Sequence, residues 1–105
     1  MFKSLKLYTG QTVNLDEFIA ALVDFSYTRQ EQVGGEGDFS YRGAVVDIYP
    51  FTFELPLRIE LDLDKISSIR TFNPADGSFL WEHTMVIILP FYPASRRNDS
   101  WRSAA

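Results

Sequence analysis

Several groups of residues in this 105-residue chain have types and spacings that bear on chemistry. The acids Glu60, Asp62 and Asp64 alternate along one segment, and carboxylates of that kind supply the oxygens of hard-cation sites. On an extended strand, alternate side chains step about 7 Å apart and do not converge. These acids therefore read as a solvated face, which also discourages edge-to-edge pairing. Gly34, Gly35 and Gly37 have the composition of a phosphate loop, but no helix follows to present its N-terminal N–H groups. Neither GxxxxGK[ST] nor a GxGxxG between strand and helix occurs, so the glycines read as a turn. His83 is the single histidine and there is no cysteine, which rules out a cage built on either ligand. A Ser-His-Asp site would have to use His83 without a GxSxG elbow. His83 reads instead as a strand-edge or turn residue, and nothing in the chain makes a case for an enzyme or a cofactor.

The remaining group is basic. Arg29 and Arg42 flank the glycine-rich stretch. If residues 34–37 close a symmetric hairpin, Val33 pairs with Asp38 and Arg29 falls opposite Arg42. Like charges opposed across a ladder repel by several tenths of a kcal/mol. Such a pair needs intramolecular carboxylates, for which Glu31 is a candidate, or an acidic partner. Arginine is favoured at interface hot spots, whereas a surface ion pair would be worth little.

The elements that position these residues follow from periodicity. LKLY at residues 5–8 alternates and reads as a strand. Asn14 with Glu17 three residues later resembles a capping box. Leu15, Phe18, Ile19, Leu22 and Val23 then share one helical stripe of about three turns, with Asp16, Glu17 and Asp24 facing away. Tyr27 to Val33 reads weakly as a strand, with Phe39 to Ile48 returning and Gly43 marking a bulge. Pro50 and Pro56 bracket a connection. Leu57 to Asp64 alternates cleanly, placing Leu57, Ile59, Leu61 and Leu63 on the core side. Lys65 to Phe72, Ser78 to Trp81 and Thr84 to Leu89 are further strands, with a turn at residues 73–77. The reading is an α+β single domain in which one N-terminal helix packs on a mainly antiparallel sheet.

Composition agrees. At 46% hydrophobic and 23% charged the chain is ordinary globular material, and 15% aromatic content with nine phenylalanines predicts a ring-rich core. A net charge of −4 argues against nonspecific nucleic-acid binding. Arg96, Arg97 and Arg102 gather near Trp101 in the tail, as a nucleic-acid contact or, in the plainer reading, a solvated and frayed end. No window approaches the roughly 20 apolar residues of a membrane span, no signal-peptide run opens the chain, and the absence of cysteine fits a reducing compartment. A cytoplasmic location is expected.

Taken together, YTR at 27–29, GDFSYRGAVVDIYP at 37–50, PLRIELD at 56–62 and DKISSIRTFNPADG at 64–77 resemble the UvrB-interaction-type domain. That module occurs in excinuclease subunit UvrB and in the transcription-repair coupling factor Mfd. The family pattern runs as Gly-Glu-Phe, two variable residues, Arg-Gly, and an apolar run to Asp-Ile-Phe-Pro. Pro-x-Arg-Ile-Glu and Ser-Ile-Arg-x-Phe-x-Pro follow. Gly37, Phe39, Arg42, Gly43, Asp47, Ile48, Pro50, Pro56, Arg58, Ile59, Glu60, Ser68, Ile69, Arg70, Phe72 and Pro74 all fit.

The resemblance covers nearly the whole of residues 4 to 90 and implies docking onto the damage sensor UvrA; no direct ATP or membrane contact is expected, and the acidic net charge disfavours direct DNA binding. Carried over by position, Arg29 and Arg42 match the basic contacts to UvrA, and Tyr27, Ser40 and Gly43 complete the implied partner-binding set. Ser40 stands where many UvrB sequences carry another arginine, which leans the match toward the coupling-factor version. LDLDK at 61–65 replaces the family's usual Phe-rich turn with Gly-Asp. The expected organisation is a docking domain over 1–90 and a flexible tail over 91–105. Nucleotide-binding and helicase motifs are absent from the sequence. The chain thus reads as a freestanding docking module or a fragment of a UvrB/Mfd-type ATP-dependent DNA translocase, with a nucleic-acid contact module as the alternative.

Overall fold

A computed structural model describes residues 4–90; the expectations for the tail, including Arg96, Arg97, Trp101 and Arg102, lie outside the described residues. The chain is α+β, as read. Strand β1 (Leu5–Tyr8) is followed by helix α1 (Leu15–Asp24) and then by seven strands: β2 (Thr28–Arg29), β3 (Asp38–Arg42), β4 (Val45–Ile48), β5 (Leu57–Asp62), β6 (Lys65–Phe72), β7 (Phe79–His83) and β8 (Met85–Ile88). Strands β2 to β7 form a six-stranded sheet in chain order, and β1 pairs with β8 in a separate antiparallel ribbon. The ribbon is tied to the main sheet through the loop after β1. There Gly10 N–H donates to the Ile66 carbonyl at 2.8 Å and Ile66 N–H to the Gln11 carbonyl at 2.9 Å.

Helix α1 starts where the capping residue puts it. Asn14 has extended φ and ψ, and its Oδ1 accepts the Glu17 N–H at 2.9 Å, satisfying one donor the helix leaves free. Phe18 and Leu22 are buried in the core; Val23, expected on the same stripe, is 58% exposed. The periodicity holds, but Val23 falls at the solvent-side margin of the stripe, while Leu22 beside it in the same turn is fully buried. The end is a Schellman motif. Tyr27 N–H donates to the Leu22 carbonyl at 3.0 Å and Ser26 N–H to the Val23 carbonyl at 3.0 Å, with Ser26 at φ 72°. This reversal drives Tyr27 into the core and releases Thr28 and Arg29 at the sheet edge.

Three expectations about the strands need correction. Residues 27–33 do not make a hairpin with 39–48. Strand β2 is two residues long and pairs parallel to β3, with Thr28 beside Asp38 and Arg29 beside Phe39. Arg29 and Arg42 are therefore not cross-strand neighbours. The loop between β2 and β3 is anchored by the Asp38 carboxylate, whose Oδ2 accepts the Gly34 and Gly35 N–H groups at 2.9 and 3.0 Å.

Nor is Gly43 a bulge. With φ 59° it is the first residue of the two-residue turn Gly43-Ala44 that splits the expected long strand into β3 and β4. A glycine at that position is what a type II′ hairpin turn requires.

Finally, β5 ends at Asp62. Leu63, assigned to the core by alternation, is 92% exposed at φ 60° in the turn to β6, past a register shift between Glu60 and Leu61.

The core lies between one face of the sheet and α1 with the ribbon. Phe39, Val46, Ile48, Leu57, Ile59 and Ile69 meet Phe18, Leu22, Leu7 and Ile88 there, together with Tyr27.

Candidate partner-docking face

On the opposite face the register lines up polar side chains across five strands. Ser40, Asp47, Arg58, Arg70 and Glu82 occupy successive places in one row. The like-charge pair expected between Arg29 and Arg42 exists in this row as Arg58 opposite Arg70. It is bounded by carboxylates at Asp47 and Glu82. Arg58 grips Asp47 with two bonds, Nε to Oδ1 at 2.8 Å and a terminal guanidinium nitrogen to Oδ2 at 2.9 Å. Its guanidinium also lies 4.9 Å from the centroid of the Phe72 ring. The hydrogen bond to Asp47 raises the Arg58 pKa above its ordinary value. Arg70 rests on the Phe79 ring, 4.7 Å from its centroid.

Arg42 lies at the end of β3 in the adjoining row, with Val45, Glu60 and Ser68. It is exposed and borders a groove of ≈ 270 Å³ whose walls include Glu31, Ser40, Val45, Asp47 and Arg58. Ser40 is 8% exposed and forms part of the groove floor, too deep to present a large surface. Gly43 is at the hairpin tip beyond Arg42.

Arg29 reaches the same region from the sheet edge. Its guanidinium packs 4.4 Å from the centroid of the Tyr41 ring, and Tyr41 in turn stacks on Phe39 with centroids 6.5 Å apart. An exposed contact of this kind contributes about 0.5–1 kcal/mol and restricts the arginine's rotamers. A second depression at the edge is lined by Arg29, Gln30, Glu31, Tyr41 and Arg42, so the two arginines border one surface although they stand on different strands. The Arg58–Asp47 pair is the salt bridge among the described residues; Arg29 and Arg42 carry none there, nor does Glu31.

Tyr27 is behind this surface. It is 3% exposed, and its hydroxyl donates to the Leu89 carbonyl at 3.0 Å. Burial pushes its pKa up to about 12. Sequence reasoning named Glu31, Asp47 and Arg58 singly but missed the Asp47–Arg58 pairing, which the strand register creates, and the seat that Tyr41 gives Arg29 at the sheet edge. His83 is on edge strand β7, where its Nε2 lies 2.8 Å from the Thr71 hydroxyl oxygen. Among the described residues no group of acids and histidine is gathered for a metal ion, and no helix is long and apolar enough to cross a membrane.

A family model described as UvrB interaction domain matches residues 5–94. The chain is 38% identical over 84 residues to the transcription-repair-coupling factor of Bacillus subtilis, covering 80% of this chain and 7% of that protein. It is also 38% identical over 84 residues to UvrABC system protein B of Thermosipho africanus, covering 80% of this chain and 13% of the relative. With the transcription-repair-coupling factor of Mycobacterium tuberculosis the identity is 38% over 89 residues, or 82% and 7% of the two chains. The chain thus spans only a small part of each relative's length.

Proposed function

The chain belongs to the UvrB interaction domain family, and from that premise we propose that it is a non-catalytic docking module of nucleotide excision repair and transcription-coupled repair. It acts in the cytoplasm by binding a UvrA-type protein through the β2–β3 edge and the outer face of the sheet. One observation carries the placement: Arg29 and Arg42 border a common surface without a carboxylate partner among the described residues, while Arg58 beside them is neutralised by Asp47. Two accessible guanidinium groups at a groove fit an acidic protein surface, where each can form charge-assisted, two-pronged hydrogen bonds. Tyr41 holds Arg29 in place, which lowers the ordering cost of binding.

The relatives named for repair are much longer, and this chain matches only a small share of each. The module's contribution is recruitment. Calorimetric titration of the folded domain against UvrA at two ionic strengths tests this. Saturable binding that weakens with salt is expected, because exposed charges are screened beyond about 10 Å at 0.1 M. Absence of binding at tens of micromolar, or binding of duplex DNA in its place, would overturn the proposal.

A further inference from the structure

The six-stranded sheet leaves two edges, and they are built differently. Strand β2 is two residues long and exposes Thr28 and Arg29. Strand β7 at the other edge is five residues long, reads FLWEH, and exposes Phe79 at 44%, Leu80 at 44% and Trp81 at 56%. Of the residues that commonly guard an edge it carries one charge, Glu82, and neither lysine nor proline. A cavity of ≈ 340 Å³ runs beside it. Phe53 and Leu55 from the Pro50–Pro56 connection form one wall, and Trp81 and His83 the other. The polar floor is already satisfied by the Thr71–His83 contact at 2.8 Å. Trp81 stands edge-on to His83, with ring centroids 6.4 Å apart.

We infer that β7 is a second docking edge, which takes up an extended segment of a partner protein carrying an apolar side chain flanked by lysine or arginine. Trp81 pairs with Thr71 and His83 with Ile69, so Trp81 and His83 share a sheet face. Alternate side chains of a strand added along β7 point over the cavity on that face, while main-chain hydrogen bonds supply the attachment. The cavity holds an apolar side chain. The flanking charge follows from the lining: Glu54 is its one carboxylate and it has no lysine or arginine. Glu82 points to the other face of β7, where it is exposed and without a salt bridge among the described residues, so it adds to the negative charge of the edge without lining the cavity. A second copy of this chain is a poorer occupant, since its own β7 offers Glu82 and His83 and no lysine or arginine. The site is at the far edge of the sheet from Arg29 and Arg42. Its success or failure is therefore independent of the UvrA reading.

The probes are two blocked peptides, acetyl-Lys-Val-Leu-Val-Lys-amide and the same peptide with glutamate in place of both lysines. Each is titrated into the nitrogen-15-labelled domain. The lysine peptide is expected to shift the amides of residues 79–83 and the Trp81 indole saturably, with at least tenfold tighter binding than the glutamate peptide. Trp81→Lys, at an exposed position that tolerates the change, is expected to abolish the shifts with the rest of the spectrum unaltered. The inference is overturned if millimolar lysine peptide leaves β7 unmoved, or if both peptides bind equally. It is also overturned if sedimentation shows that β7 is occupied by a second copy, in a dimer that Trp81→Lys dissociates.

Discussion

Replacing Asp47 by asparagine keeps the size of the side chain and removes the charge that holds Arg58. The lost contacts are two charge-assisted hydrogen bonds at 2.8 and 2.9 Å, between side chains that are 13% exposed on Asp47 and 32% on Arg58. Exposed pairs contribute up to about 1 kcal/mol, and breaking a fully buried pair costs about 3–5. The intermediate burial here places the loss near 2 kcal/mol, in line with hydrogen bonds to charged groups at about 1.5–3. A further penalty of several tenths of a kcal/mol appears because Arg58 then faces Arg70 across the ladder without its screening carboxylate. Urea unfolding followed by circular dichroism is the assay, with the midpoint falling and the slope unchanged. Arg70→Gln in the Asp47→Asn background is expected to recover those tenths. A cycle with Arg58→Met is expected to give a coupling energy above about 1 kcal/mol. A loss below about 0.5 kcal/mol, or no coupling to Arg58, would refute the reasoning that this pair organises the outer face.

Leu63 is held at φ 60° and 92% exposed, and a left-handed conformation costs a leucine about 1–2 kcal/mol. Leu63→Gly is therefore expected to raise stability by about 0.5–1 kcal/mol in the same urea assay, the remainder being offset by glycine's unfolded-state entropy. Tyr27 ionises at about 12 in the folded chain against 10.0 for the free side chain, so the folded state holds its proton more tightly. Stability from this group is full below pH 10 and is lost as the pH rises toward and through 12. Tyr27→Phe should flatten that alkaline decline in thermal melts, while lowering stability at neutral pH by about 1 kcal/mol through the lost bond to Leu89.

Much of the architecture was legible because local signals and tertiary demands agreed. Asn14 and Glu17 announced the helix start, and Leu57 and Ile59 alternated on the buried side of β5. The failures have physical causes. Alternation runs unbroken through Leu63, and the turn there lacks the glycine or asparagine that a positive φ normally calls for. Gly43 with Ala44 is likewise a turn without the Asn-Gly signature, so it looked like a phase break. Residues 34–37, with glycine at three of the four positions, have hairpin composition, but the chain reaches Asp38 by a loop pinned on its carboxylate and lays β2 parallel to β3. Two residues of parallel pairing leave no periodic trace. The two arginines were legible by type and motif, whereas Tyr41 beneath Arg29 and the Asp47–Arg58 pair depend on register, which no single segment encodes.

The measurement that bears most directly on the docking face is calorimetric titration of UvrA with two charge-matched double variants. One is Arg29→Glu with Arg42→Glu; the other is Lys6→Glu with Lys65→Glu, at exposed positions on β1 and β6 away from the groove. Both change the net charge equally, so any general electrostatic effect is shared. The arginine variant is expected to lose at least about 2 kcal/mol of binding, roughly 30-fold in affinity, while the lysine variant stays close to wild type. Equal weakening by both, or undiminished binding by the arginine variant, would contradict the placement of the partner on the β2–β3 edge.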